Sequence, residues 1–79
     1  MRTCRDAVLD AFVRLECRHG RGNFQLEEVV AETLAEDPQY KESTVRTHVT
    51  SRMCVDAPDN HASVYPDLTR VDRGVYRRR

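Results

Sequence analysis

The chain has 79 residues, of which 39% are hydrophobic and 33% charged, and its formal net charge at pH 7 is zero. This length is enough for one small domain, and the apolar share excludes a disordered chain of low hydrophobicity. No stretch approaches the length of a membrane span, and charged residues interrupt the first apolar run. We therefore expect a soluble cytoplasmic protein without a signal peptide.

The charges are unevenly distributed along the chain. Residues 1–40 carry five basic and eight acidic side chains, a net charge of −3, whereas residues 41–79 carry eight and five, a net charge of +3. A local positive surface can steer a polyanion even when the total charge is zero. The distribution favours nucleic-acid binding by the second half, although drift of surface charge and the arginine triplet at residues 77–79 would give the same asymmetry.

The three cysteines, Cys4, Cys17 and Cys54, are an odd number and include no C-x-x-C pair. Neither a disulfide framework nor a zinc ribbon is therefore indicated, and we expect reduced thiols. Cys4 and Cys54 lie at positions where a small hydrophobic side chain would pack.

The first predicted helix runs from a cap at Thr3 to about His19. Asp6, three residues after Thr3, gives a weaker version of the capping box. Helical spacing of apolar residues follows at Cys4, Ala7, Val8, Ala11, Phe12 and Leu15. Gly20 and Gly22 then end the helix.

A short strand and a second helix follow. Phe24 alternates with Leu26 as it would in a short edge strand. The second helix begins near Leu26, and Pro38 ends it at Asp37 or just before. The tight polar turn that follows is predicted to use Tyr40 as an anchor in the core.

Residues 41–53, K-E-S-T-V-R-T-H-V-T-S-R-M, predict a third helix that starts at Glu42 or Ser43 and reaches about Cys54. Ser43 is the expected cap. One face is an apolar stripe formed by Val45, Val49 and Met53. The other face carries short polar side chains and one arginine, without carboxylates, and consists of Ser43, Arg46, Thr47 and Thr50. Such side chains can bond to phosphate oxygens and base edges without repelling a polyanion, whereas a solvated helix is the plain alternative.

The rest of the chain predicts a connection and a hairpin. Residues 56–66 are rich in turn-forming residues, and connections of this length are often functional. Residues 68–71 and 75–77 alternate apolar with polar side chains around the turn Asp72-Arg73-Gly74. We therefore expect residues 1–79 to form one α+β domain, complete or part of a larger protein, with three helices, a short strand and a two-stranded hairpin.

No catalytic or metal-binding pattern is present. The candidate side chains His19, Cys17, His48, Cys54 and His61 lack the spacing of metal ligands. A catalytic pair of Cys54 with His48 or His61 would also need a third group to orient it, and none is identified. Packing is favoured for His48 and a local turn bond for His61. We expect a binding domain with no enzyme activity, cofactor or small-molecule substrate.

The order of these elements resembles the winged helix-turn-helix family over nearly the whole chain. The residues that carry the resemblance are F-Q-L-E-E-V-V, S-T-V-R-T-H-V and R-V-D-R-G-V-Y. More narrowly, Y-K-E-S-T-V-R-T-H-V-T-S-R-M-C, A-P-D-N-H and L-T-R-V-D-R-G-V-Y resemble small winged-helix modules attached to restriction-type or modification-dependent nucleases. This resemblance implies that the partner is double-stranded DNA, plain or methylated. No nuclease catalytic segment accompanies it, so cleavage would belong to another domain.

The resemblance also implies which residues contact DNA. In this family the third helix mostly enters the major groove, and the hairpin, called the wing, follows the backbone or enters the minor groove. The implied contacts are Lys41, Ser43, Thr44, Arg46, Thr47, Thr50, Arg52, Arg70, Arg73 and Arg77. Arg46 is the candidate for a base contact, because a guanidinium can donate two parallel bonds to guanine O6 and N7.

The other implied contacts have different roles. Thr47 and Thr50 can touch a thymine methyl or bond singly to a base. Lys41, Arg52 and the wing arginines are expected on phosphates, with Arg73 able to enter a narrow minor groove. The alternative from another class is a protein-interaction domain, because winged helices also serve in assembly and the acidic first half could meet a basic partner.

Overall fold

The computed structural model describes residues 3–53 and 67–78, apart from the side chains of Ser51 and Arg52. Within these segments three helices and a three-stranded antiparallel sheet form a small α+β fold. The elements are α1 (Cys4–His19), β1 (Asn23–Gln25), α2 (Leu26–Glu36), α3 (Glu42–Thr47), a π-helical segment (His48–Arg52), β2 (Leu68–Asp72) and β3 (Val75–Arg78). The α+β class and the order of elements are confirmed.

Local hydrogen bonds fix the ends of α1. The Thr3 hydroxyl accepts from the Asp6 N–H, and the Asp6 carboxylate accepts from the Thr3 N–H, both at 3.2 Å. At the other end Gly20 takes a left-handed conformation with φ 67° and donates its N–H to the Glu16 carbonyl at 2.9 Å. A side chain would be strained in that conformation. The predicted start, cap and end of this helix are confirmed.

The start of α2 is fixed from two sides. The Gln25 N–H donates to the Glu28 carboxylate at 2.8 Å, and this bond is the main cause of a lowered Glu28 pKa. The Leu26 N–H donates to the Gly74 carbonyl at 3.0 Å, which joins the helix to the hairpin turn. At its end, the Asp37 N–H donates to the Thr33 carbonyl at 2.9 Å. The helix therefore has the predicted limits.

The third helix differs from its prediction in two respects. Its N-cap is Lys41, which makes no side-chain capping bond, so the prediction that Ser43 caps the helix is wrong. Ser43 already lies in the first turn. From His48 onward the helix widens into the π form, and the Met53 N–H donates to the His48 carbonyl at 2.8 Å.

Side chains in this helix bond back to its own carbonyls. Thr47 Oγ1 donates to the Ser43 carbonyl at 2.9 Å, His48 Nδ1 donates to the Thr44 carbonyl at 2.9 Å, and Thr50 Oγ1 donates to the Arg46 carbonyl at 2.8 Å. Bonds of this kind, to the carbonyl four residues earlier, compete with backbone N–H groups and distort helices. We infer that they favour the widened turn.

The widened turn also keeps the apolar stripe facing the core. In a regular α-helix each four-residue step advances about 40° beyond a full turn, so a stripe at that spacing drifts around the helix. A π-helical turn contains about one residue more than an α-helical turn, so a four-residue step falls short of a full turn and the stripe drifts in the opposite direction. Val45, Val49 and Met53 are all fully buried, as the stripe predicts.

The core lies between the helices and the sheet. Its fully buried side chains include Val8, Phe12, Phe24, Val29, Val45, Val49, Met53 and Leu68. Phe12 and Phe24 meet edge to face, with ring centroids 6.1 Å apart. Tyr40 packs partly buried against this cluster, as predicted. No helix in residues 3–53 and 67–78 is long and apolar enough to cross a membrane.

The two cysteines in the described segments occupy different environments. Cys4 is buried, as predicted, whereas Cys17 is exposed, and both are free thiols. Burial, and then the negative charge of Asp37, raise the pKa of the Cys4 thiol. Cys54, His61 and the connection at residues 56–66 lie outside the described residues, as does the predicted end of the third helix at Cys54.

The sheet has the order β1-β3-β2, with Phe24 opposite Tyr76 and Leu68 opposite Arg78. Gly74 has φ 70° in the turn between β2 and β3, and a bulge falls between Arg70 and Asp72. The predicted hairpin is confirmed.

Ion pairs join elements that are far apart in sequence. Arg5 on α1 donates to both oxygens of Asp67 at 2.6 and 2.9 Å, and Arg78 donates to both oxygens of Glu16 at 3.1 and 2.8 Å. Each pair links the acidic half of the sequence to the basic half. The two halves of the sequence therefore meet at both pairs, where a positive and a negative side chain neutralise each other.

Glu32 on α2 is clamped by two arginines of α1. Arg14 Nε donates to its carboxylate at 2.8 Å, Arg18 donates to the other oxygen, and the Glu32 side chain is only 12% exposed. The Arg14 bond is the main cause of a lowered pKa of Glu32.

We expect Glu32→Gln to reduce the free energy of unfolding by about 1 to 2 kcal/mol at pH 7, because both arginines lose a charged acceptor. Since the folded-state pKa of Glu32 is lowered, its contribution is present above the unfolded-state pKa and is lost as the pH falls through the folded-state value. Urea unfolding at pH 7 and at acidic pH should show the advantage of the wild type shrinking on acidification.

Glu36→Gln is the matched control, because Glu36 lies one helical turn further along α2, is exposed, and has no ion pair within the described segments. Its unfolding free energy should stay within about 0.5 kcal/mol of the wild type. Equal losses in the two variants would contradict the role assigned to the clamp.

Candidate nucleic-acid interface

The outward face of α3 forms an open groove of about 300 Å³. It is lined by Ser43, Thr44, Thr47 and His48. The Thr47 and Thr50 hydroxyls donate their protons to carbonyls of their own helix. Each hydroxyl therefore presents only acceptor lone pairs outward, which suits hydrogen-bond donors such as the exocyclic amines of adenine and cytosine.

His48 belongs to this groove, although the sequence favoured a packed role for it. The side chain is half-buried, and because a carbonyl oxygen only accepts, its Nδ1 must donate to the Thr44 carbonyl. In the neutral ring, Nε2 is then left as an acceptor. The spacing of Thr44, Thr47 and His48 places all three on one helical face, and this was the signal that could have identified the histidine.

Arg46 is held by two carboxylates. Its Nε donates to a Glu42 oxygen at 3.1 Å, and its Nη1 lies 3.9 Å from a Glu27 oxygen on α2. The prediction that this face is free of carboxylates is wrong. The sequence pattern considered α3 alone, whereas Glu27 is brought in by the packing of α2, and Glu42 reaches Arg46 from the preceding turn. The Arg46 side chain is 38% exposed.

The hairpin turn and Arg46 lie at the same end of α2. Leu26, the first residue of α2, bonds to Gly74 in the turn, and Glu27, the next residue, contacts Arg46. The first turn of α2 thus brings together the two parts of the predicted site that are furthest apart in sequence.

The candidate cations differ in their partners. Lys41, Arg73 and Arg77 are exposed, and none of them contacts a carboxylate within residues 3–53 and 67–78. Arg70 Nε donates to the Asp72 carbonyl at 3.4 Å. The Arg73 backbone N–H donates to the Asp72 carboxylate at 2.7 Å, which orders the turn. The Arg52 side chain lies outside the described residues.

Arg77 lines a second open groove, of about 410 Å³, rather than the groove on α3. The lining residues are Glu16, Gly20, Arg21, Gly22, Arg77 and Arg78. Arg21 is fixed there over the Phe24 ring, 4.8 Å from its centroid, and its Nη2 donates to Glu28 at 3.0 Å. The bonds to Glu16 raise the pKa of Arg78. Two of the three guanidinium groups are therefore already neutralised by carboxylates.

The geometry brings together Ser43, Thr44, Thr47 and His48 in one groove on α3. It brings Arg46 instead to the first turn of α2, which also bonds to the hairpin turn. It places Arg77 in a different groove. In the segments that the structure describes, no three His, Cys, Asp or Glu side chains come together as a metal site requires. The arrangement offers hydrogen-bond acceptors, one guanidinium and several exposed cations.

Comparison with curated proteins and with solved structures gives no match. One family model, described as a domain of unknown function (DUF7669), matches residues 3–78. The match extends from the cap of α1 to the last residue of β3 and includes all ten candidate contact residues. The chain therefore belongs to the DUF7669 family.

Proposed function

We propose that this domain binds double-stranded DNA as a winged helix, with α3 as the recognition helix and the β2–β3 hairpin as the wing. The observation that carries the proposal is the groove on α3, which is lined by the short polar side chains of Ser43, Thr44 and Thr47 together with His48. A helix that enters the major groove needs such side chains, because they allow close approach and offer bonds to base edges.

The polar groups of the groove complement base edges. Thr47 in the groove, and Thr50 three residues further along the helix, present acceptor lone pairs, which suit the amino groups of adenine and cytosine. Arg46 supplies donors, which suit guanine O6 and N7. Its contact with Glu27 is an exposed ion pair worth about 0 to 1 kcal/mol, so Glu27 is a weak competitor for a base, while Glu42 bonds only to Nε.

The unpaired cations suit the DNA backbone. Lys41 lies at the start of α3 and Arg73 lies in the wing turn, and neither contacts a carboxylate in the described segments. Cations of this kind bind phosphate oxygens of any sequence and position the protein on the duplex. In this proposal Ser43 and Thr44 bond at the groove, while Arg52, Arg70 and Arg77 are further backbone contacts.

A narrower form of the proposal is that the domain recognises a modified base as part of a restriction-type nuclease. It is supported by the resemblance to nuclease-associated modules and by the groove, where the Thr44 and Thr47 methyl groups can meet a base methyl. The domain itself is proposed to be a binding module, with any cleavage performed elsewhere.

The second candidate function is protein binding without DNA. It is favoured by the two carboxylates beside Arg46, because they make this part of the surface acidic and would attract a basic partner. The exposed Val71 on β2 would add apolar area to such an interface, since its side chain is 41% exposed.

Salt dependence is the first test between the two functions. Binding of a labelled 20-base-pair duplex, followed by fluorescence anisotropy, should weaken steeply between 50 and 200 mM salt because several phosphate contacts release counterions. A loss of about forty- to two-thousandfold is expected for three to six contacts. Failure of the wild type to bind any duplex at 50 mM salt would support protein binding instead.

Arg46 and Arg73 are expected to contribute differently. Arg46→Ala should cost about 1 to 3 kcal/mol on the preferred sequence and relax the preference at one base pair. Arg73→Ala should weaken all sequences alike and reduce the salt slope by about one. Arg18→Ala on α1 is the charge-matched control and should leave the preference unchanged. Equal losses from Arg46→Ala and Arg73→Ala on every sequence would contradict this division of roles.

Recognition of a modified base is tested with duplexes that differ only in methylation. If the narrower proposal holds, adenine or cytosine methylation should change the dissociation constant about fivefold or more, as a buried methyl contact allows. Thr47→Ser, which removes one methyl group and keeps the hydroxyl, should reduce that difference. Equal binding to methylated and plain duplexes would exclude this form and leave plain DNA binding standing.

A further inference from the structure

Glu42 bonds to Arg46 through Nε, and this determines which other guanidinium nitrogens remain available to a base. A guanidinium can offer its donors sideways, from Nε and one terminal nitrogen, or end-on, from Nη1 and Nη2. In this structure Nε already donates to Glu42 at 3.1 Å. The sideways pair is therefore occupied, and only the end-on pair is available to another acceptor.

The terminal nitrogens are held less tightly. The 3.9 Å separation of Arg46 Nη1 from Glu27 is too long for a hydrogen bond, and the Glu27 side chain is 69% exposed. Within the described segments no other partner of these nitrogens is present. Glu27 thus makes only a weak electrostatic contact with the end-on edge, and a base can displace it.

We propose that Glu42 is a positioning residue for DNA recognition, which holds Arg46 so that its end-on edge meets guanine. This assignment rests on the proposed function. Guanine O6 and N7 accept two parallel bonds, and a guanidinium whose orientation is already fixed loses less conformational freedom on forming them. Glu42 stays bonded to Nε in the complex.

The same carboxylates also disfavour phosphate as the partner of Arg46. Glu42 and Glu27 repel phosphate oxygens, which carry a full negative charge, more strongly than they repel the uncharged edge of a base. Arg46 therefore contributes less to nonspecific binding than Lys41 or Arg73, whose side chains form no ion pair with a carboxylate within residues 3–53 and 67–78. The ratio of specific to nonspecific affinity rises as a result.

A simpler role for Glu42 is a helix-stabilising pair with Arg46, four residues later. That role predicts no effect on which base is bound. The readout must therefore be the preference for guanine rather than affinity or stability alone.

The experiment uses three duplexes: one with the preferred site, one in which 7-deazaguanine replaces the guanine sensed by Arg46, and one scrambled. 7-Deazaguanine lacks the N7 acceptor and keeps O6. The wild type should bind the first duplex about tenfold more tightly than the second. Glu42→Ala should reduce this preference to within about twofold, as should Arg46→Ala, and the double variant should lose no more.

Two isosteric variants separate orientation from charge. Glu42→Gln keeps an oxygen that can accept from Nε, so it should retain most of the guanine preference while binding the scrambled duplex about two- to fivefold more tightly. Glu27→Gln is the matched control and should tighten scrambled binding without changing the preference. Urea unfolding of each variant establishes that the fold is intact.

The outcomes distinguish this assignment from the proposed function. If the wild type binds DNA and Glu42→Ala keeps the same guanine preference, the role assigned to Glu42 is overturned while the proposed function stands. If Glu27→Gln also loses the guanine preference, the role assigned to Glu42 is likewise overturned, because the preference would then depend on negative charge and not on the orientation of Arg46. Failure of the wild type to bind any duplex at low salt overturns the proposed function and the assignment together.

Discussion

The pairing of β1 with β3 is the contact on which the rest of the structure depends. It places Phe24 opposite Tyr76, joins residues about fifty positions apart, and pairs the hairpin with the strand that directly precedes α2. Because α2 begins directly after β1, the same pairing brings the Leu26 N–H to the Gly74 carbonyl and fixes the first turn of α2. Glu27, in that turn, then reaches Arg46. One short strand thus positions the hairpin turn, the start of α2 and the principal side chain of the candidate site.

The third helix combines two demands that a regular α-helix meets less well. Its apolar residues recur every four positions and must all face the core, while its polar residues must face outward. The side-chain bonds from Thr47, His48 and Thr50 to their own helix accompany a widened turn that satisfies the first demand. They also fix which atoms of the outer face donate and which accept. Core packing and the chemistry of the groove are therefore coupled within a single helix.

Among the residues that the structure describes, several ion pairs join elements that are distant in sequence. Arg78 with Glu16, Arg5 with Asp67, and Arg46 with Glu27 each join the two halves of the sequence. Long-range attraction to a polyanion is weakened by this arrangement, since opposite charges a few ångströms apart cancel at a distance. Selective binding would then depend on short-range hydrogen bonds and on the few unpaired cations.

The sequence alone determined the limits of α1 and α2, the hairpin and the buried stripe, because capping residues, glycines and apolar spacing act over a few residues. Its periodicity also predicted one polar face of the third helix, formed by Ser43, Arg46, Thr47 and Thr50. Only the tertiary structure decided that Lys41 rather than Ser43 precedes the third helix, that the helix widens at His48, and that Glu27 meets Arg46. These features depend on competition for backbone carbonyls and on contacts between elements distant in sequence. Periodicity carries no information about either, because it describes each helix in isolation.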